Sequence, residues 1–140
     1  MKADRKNPGG SAIHFAAAAL FGGVFLVTPT AHAAANCAVP GPRLDLHHIS
    51  GYDVSVDANG ASLGPGAVIS TPQQTSRGNV SGGINGRAID FTVNFSGTRA
   101  YDHFTGTVGN DGVAHGTSVG TQIPIELDPG PWDSVTRLTC

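Results

Sequence analysis

Few residues of this chain have chemistry to offer. Outside the first 33 positions they are His47, His48, His103 and His115, the cysteines Cys37 and Cys140, the single Trp132, and aspartates scattered through turn-like stretches. A metal site needs several such ligands converging at about 2 Å, and no His-x-His or Cys-x-x-Cys spacing occurs in this part of the chain. His47 and His48 are adjacent on a strand-like segment and so point to opposite faces. Both cysteines are better used as a bridge than as nucleophiles. Of the pairs Asp53 with Asp57 and Asp102 with Asp111, Asp57 leads into Asn59-Gly60 and Asp111 stands between Asn110 and Gly112, where aspartate normally forms turns. Glu126 is the only glutamate. The expectation is a non-enzyme with no metal and no cofactor.

The start of the chain reads as an address. Lys2, Arg5 and Lys6 precede an apolar run, Ala16 to Val27, and Ala31-His32-Ala33 is a small-x-small cleavage pattern. The run is well short of the roughly 20 residues that span a bilayer. Residues 1–33 are therefore expected to be a cleaved signal peptide and 34–140 a single exported domain, secreted or associated with a bacterial cell envelope, with no membrane span once the leader is gone. Both lysines leave with the leader. The remainder holds five arginines against nine acids, a net charge of −4, which argues against nucleic acid and against an anionic membrane as partners. Two cysteines framing an exported domain read as one disulfide, Cys37 to Cys140.

Val, Ile, Thr and Phe alternate with polar residues, and Gly- and Pro-bearing turns recur every ten or so residues. That pattern predicts an all-β fold, a small antiparallel β-barrel of about seven or eight strands, with a β-sandwich as the alternative. Ile89, Phe91, Val93 and Phe95 share one face. Turning at Asn85-Gly86 pairs Ile84 with Arg87, Gly82 with Ile89 and Val80 with Phe91, and puts Val80, Gly82 and Ile84 on that same face. The five-residue link 96–100 calls for a bulge or a shifted loop boundary. A turn at Asn110-Asp111 pairs Val108 with Val113 and Gly106 with His115, which turns His115 inward beside the space left by Gly106. Residues 71–78 read as a polar loop, and Trp132 to Thr139 as the last strand.

The expected site follows from that register. His115, Gly106, Gly82 and Trp132 would line a lumen able to take a small apolar or amphipathic ligand. In the competing reading the core is solid and the protein acts through its surface, around 71–78 or the apolar Ile123, Ile125 and Leu127. A hydrolase built on His115 or His103 is the remote third.

The leader, the Cys37–Cys140 framing, and the runs Gly78–Arg87 (GNVSGGINGR), Phe104–Val108 (FTGTV) and Asp111–Gly116 (DGVAHG) resemble small exported proteins of mycobacteria and their relatives. That resemblance implies a location more than an activity. Phe91–Phe95 (FTVNF) and the tail Trp132–Leu138 are similar, more weakly, to the avidin and streptavidin type of barrel. The several tryptophans of biotin sites are not met, because Trp132 stands alone, and biotin binding is not carried over to any residue.

Overall fold

The computed structural model describes residues 35–121 and 129–140; the leader and the apolar segment 123–127 lie outside them. Eight strands follow one another: β1 Arg43–His48, β2 Asp53–Asn59, β3 Ser62–Ser70, β4 Thr75–Asn85, β5 Ala88–Phe95, β6 Tyr101–Val108, β7 Ala114–Gly120 and β8 Gly130–Ser134. Each pairs antiparallel with the next, and β8 pairs back onto β1 to close the barrel. The fold is the expected antiparallel barrel. Among the described residues no helix is long and apolar enough to cross a membrane.

Alternation builds the core. Leu44 and Leu46, Val54 and Val56, Ile89, Phe91, Val93 and Phe95, and Phe104 and Val108 all point inward and are buried. The residues between them face the outside of the wall, as period two requires. The link 96–100 does shift its boundary: Asn94, not Phe95, pairs with Tyr101, so both outward residues stay outward. Part of the expected polar loop 71–78 is strand, since β4 begins at Thr75.

The two hairpins depart from their expected registers with opposite consequences. Between β4 and β5 the turn is Gly86-Arg87, with Gly86 at φ 61°. Asn85 pairs with Ala88, Ile84 with Ile89 and Gly82 with Phe91. Every pairing slips by two residues, which leaves the faces unchanged. Between β6 and β7 the loop takes an extra residue. Gly109 N–H donates to Val113 O (2.7 Å), Asp111 Oδ1 accepts from Val113 N–H, and Gly112 supplies the left-handed φ of 82°. Val108 therefore pairs with Ala114, Gly106 with Gly116 and Thr107 with His115. A slip of one moves the whole strand's side chains to the other face. Ala114, Gly116 and Ser118 point inward; His115, Thr117 and Val119 point out.

The barrel has two unlike ends. At the lower end, near turns 60–61, 86–87 and 109–113, the terminal segments cross the mouth. Ala38 pairs with Thr139, and Leu138 N–H donates to Gly112 O. Cys37, Val39 and Leu138 are buried there, and Cys37 is joined to Cys140 by the expected disulfide, 103 residues apart in sequence. The upper end carries the turn 49–52 and the loops 71–74 and 96–100.

Candidate functional site

The middle of the barrel is full. Phe91 stacks on Phe104 with centroids 4.8 Å apart, and Phe104 meets Trp132 edge-on at 6.4 Å. Trp132 is 1% exposed. Its indole lies against two glycines: a Cβ on Gly106 would come 2.7 Å from Trp132 Cζ2, and one on Gly116 would come 2.5 Å from Cε2. The glycine at 106 thus makes room for the tryptophan, not for a ligand.

Of the four expected lumen residues, only Gly106 and Trp132 meet. His115 is on the outside, its side chain 59% exposed, with Nδ1 2.6 Å from Asp133 Oδ1. Its expected inward position is overturned by the extra residue in the β6–β7 loop. His103 faces outward too, and its Nε2 lies 2.9 Å from Asp90 Oδ1. Gly82 is exposed, at φ 128°, and a Cβ there would meet the Asp90 carbonyl and the Phe91 backbone. It opens no space inside.

The polar chemistry of the interior lies higher, in residues expected to be solvated, structural or turn-forming. His48, Asp102 and Ser118 are fully or almost fully buried, as is Tyr52. The tight turn 49–51, closed by Gly51 N–H to His48 O, folds Tyr52 back so that its ring stacks on His48 at 4.3 Å. Tyr52 Oη is 3.2 Å from Ser118 Oγ and donates to Asp102 Oδ2 at 3.3 Å. Ser118 Oγ is 3.3 Å from His48 Nε2. At the far side of the ring, Ser50 Oγ lies 2.7 Å from His48 Nδ1, and the Ser50 backbone N–H donates to that same nitrogen at 3.2 Å.

That last bond assigns a polarity to these contacts. A backbone N–H can only donate, so Nδ1 must present its lone pair, and the ring proton sits on Nε2. Nε2–H then donates to Ser118, the Ser118 hydroxyl to Tyr52, and the Tyr52 hydroxyl to Asp102. Successive bonds of one direction polarise each other. A serine nucleophile needs the reverse, a free Nε2 lone pair to accept its proton and an acceptor at Nδ1. With the ring proton assigned to Nε2, His48 donates to Ser118 and does not accept from it.

Burial pushes the Asp102 carboxyl up from 3.8 to about 6, against the lowering effect of the Tyr52 hydroxyl, the His103 backbone and the His103 charge. One further polar atom is out of place: the Trp132 indole N–H is buried with no partner among the described residues. Among the described residues no three His, Cys, Asp or Glu side chains come together to hold a metal.

Sequence carried a signal for this cluster. The alternation that turns Leu44 and Leu46 inward also turns His48 inward, and the one that buries Phe104 buries Asp102. Tyr52 shares the parity of Val54 and Val56 and is buried with them. The register slip hid Ser118, although it stands in a Gly-x-Ser-x-Gly run, Gly116–Gly120 (GTSVG), that sequence reading missed. No known protein family, curated protein or solved structure matches the chain, so its chemistry has to be read from these contacts alone.

Proposed function

We propose that this is an exported, non-catalytic β-barrel domain that acts through its outer surface and its upper loops. One observation carries the reading: Phe91, Phe104 and Trp132 fill the lumen, Gly106 lies under the indole, and Gly82 faces the Asp90 and Phe91 backbone, not an interior space. A ligand the size of a fatty chain has no place there without unpacking the core, at a cost of several kcal/mol for an aromatic anchor. The direction of the His48–Ser118–Tyr52–Asp102 chain supports the non-catalytic part, and the Cys37–Cys140 disulfide supports an oxidising compartment.

A second reading has one observation in its favour. A buried N–H without an acceptor, as at Trp132 Nε1, costs about 1–3 kcal/mol, and a small acceptor held in the upper interior would remove that cost. Native mass spectrometry of the protein purified from culture medium separates the two. The surface reading expects the bare mass of the disulfide-bonded chain. A small molecule that survives gentle ionisation and leaves on unfolding would replace it with the second.

A further inference from the structure

The outside of the barrel carries a groove of about 220 Å³ across β1–β4, lined among others by Arg43, Asp57, Gly66, Arg77, Asn79 and Ser96. It owes its shape to an irregular ladder. Val56 pairs with Ala67, but Ala58 pairs with Leu63, so Gly64-Pro65-Gly66 stands opposite the single residue Asp57. Bulges of this kind re-aim a side chain. Here Gly66 N–H donates to Asp57 Oδ2 at 3.2 Å, and the carboxylate lies over the glycine, where a Cβ would come within 3.0 Å of it. The lack of a side chain at position 66 lets the carboxylate lie close over the backbone there.

Two arginines line the groove with that carboxylate. Arg43 approaches it loosely, Nη2 to Oδ1 at 3.9 Å, and donates from Nη1 to Ser55 Oγ. Arg77 extends from β4, and its guanidinium makes no ion pair or hydrogen bond with any described residue. Asn79, directly paired with Gly66, is exposed. The groove therefore holds one net positive charge, in a domain whose sum is −4. It offers a planar fork suited to a carboxylate, an amide that both donates and accepts, and a fixed carboxylate that accepts from hydroxyls. A dianion such as a phosphomonoester is disfavoured by Asp57. A neutral polyol leaves Arg77 unused. The volume lies below the usual range for drug-sized ligands and suits a single small ring.

We propose that this groove binds a small hydroxylated monocarboxylate of the sugar-acid class, its carboxylate on Arg77 and its hydroxyls on Asp57 and Asn79. The inference deepens the surface-acting reading and rests on it. Titration of the full, disulfide-bonded chain by ¹H–¹⁵N NMR with glucuronate, glucose and acetate tests it. Glucuronate should shift the amides of Gly66, Arg77, Gly78 and Asn79 along saturable curves, with glucose and acetate at least tenfold weaker. Arg77→Gln should weaken glucuronate at least tenfold. Asp57→Asn should reduce the preference for glucuronate over acetate. Arg77→Lys, which keeps the charge and loses the fork, should fall between wild type and Arg77→Gln. Equal responses to glucuronate and acetate, non-saturating shifts, or an unchanged affinity in a folded Arg77→Gln protein would each overturn the assignment. The two readings fail separately: a retained interior molecule removes the surface reading, whereas a bare protein that ignores glucuronate removes only the groove's ligand.

Discussion

Replacing Asp102 by asparagine isolates what a buried carboxyl does to this barrel. The folded state holds the Asp102 proton to about pH 6, whereas an ordinary aspartate releases it near 3.8. A raised folded-state value means that the native form binds the proton more tightly than the unfolded chain. The contribution is fully present below pH 3.8 and is lost as pH rises through 6. At 1.36 kcal/mol per pH unit, the gap between 3.8 and about 6 corresponds to about 3 kcal/mol. The amide that Asp102→Asn introduces keeps a carbonyl acceptor for the Tyr52 hydroxyl and cannot ionise. Its extra N–H donors add a fixed offset of about 1 kcal/mol if unpaired, but that offset does not change with pH. The measured quantity is the stability difference between Asp102→Asn and wild type from urea unfolding at about pH 4, 5, 6, 7 and 8, followed through the lone fluorophore of its kind, Trp132. The difference should move in favour of the variant by about 2 kcal/mol between the ends of that range, less than the full gap because pH 4 already lies above 3.8, and most of it between pH 4 and 6.5. A difference that stays flat with pH would show that Asp102 is hydrated or paired in the native state and would refute the reasoning.

His115→Ala should change stability by less than about 1 kcal/mol, as expected of an exposed ion pair; a loss of about 2 kcal/mol or more in thermal melts would return His115 to the core. Reducing the Cys37–Cys140 disulfide, which closes a loop of 103 residues, should remove about 4–5 kcal/mol by chain entropy and lower Tm by well over roughly 10 °C; calorimetry with and without reductant checks this, and a shift of a degree or two would contradict it.

Much of the barrel was legible because alternation is a local signal. It needs only a few neighbours, and it correctly turned Phe91, Val93 and Phe104 inward. Loop length was the weak point, since a single residue decides the parity of everything after it. At Gly86-Arg87 the error was two residues and harmless. At 109–113 it was one, and it carried His115 out and Ser118 in. Most of the upper polar cluster was legible: His48, Tyr52 and Asp102 follow from the parity of Leu46, Val54 and Phe104. Their meeting with Ser118 depends on strands that are neighbours only once the sheet has closed. The placement of Asp57 depends on a slip between β2 and β3 that no local pattern announces.

Closing β8 onto β1 has a further consequence. A sheet with free margins can be extended by a foreign strand, or can stack into fibres, through backbone groups that read no side chains. Here all eight strands have both flanks occupied. Any companion molecule must be recognised by what projects from the wall and rims, so its selectivity is written in side chains such as Arg77 and Asp57, and even a crowded setting gives little occasion for indiscriminate strand-to-strand adhesion.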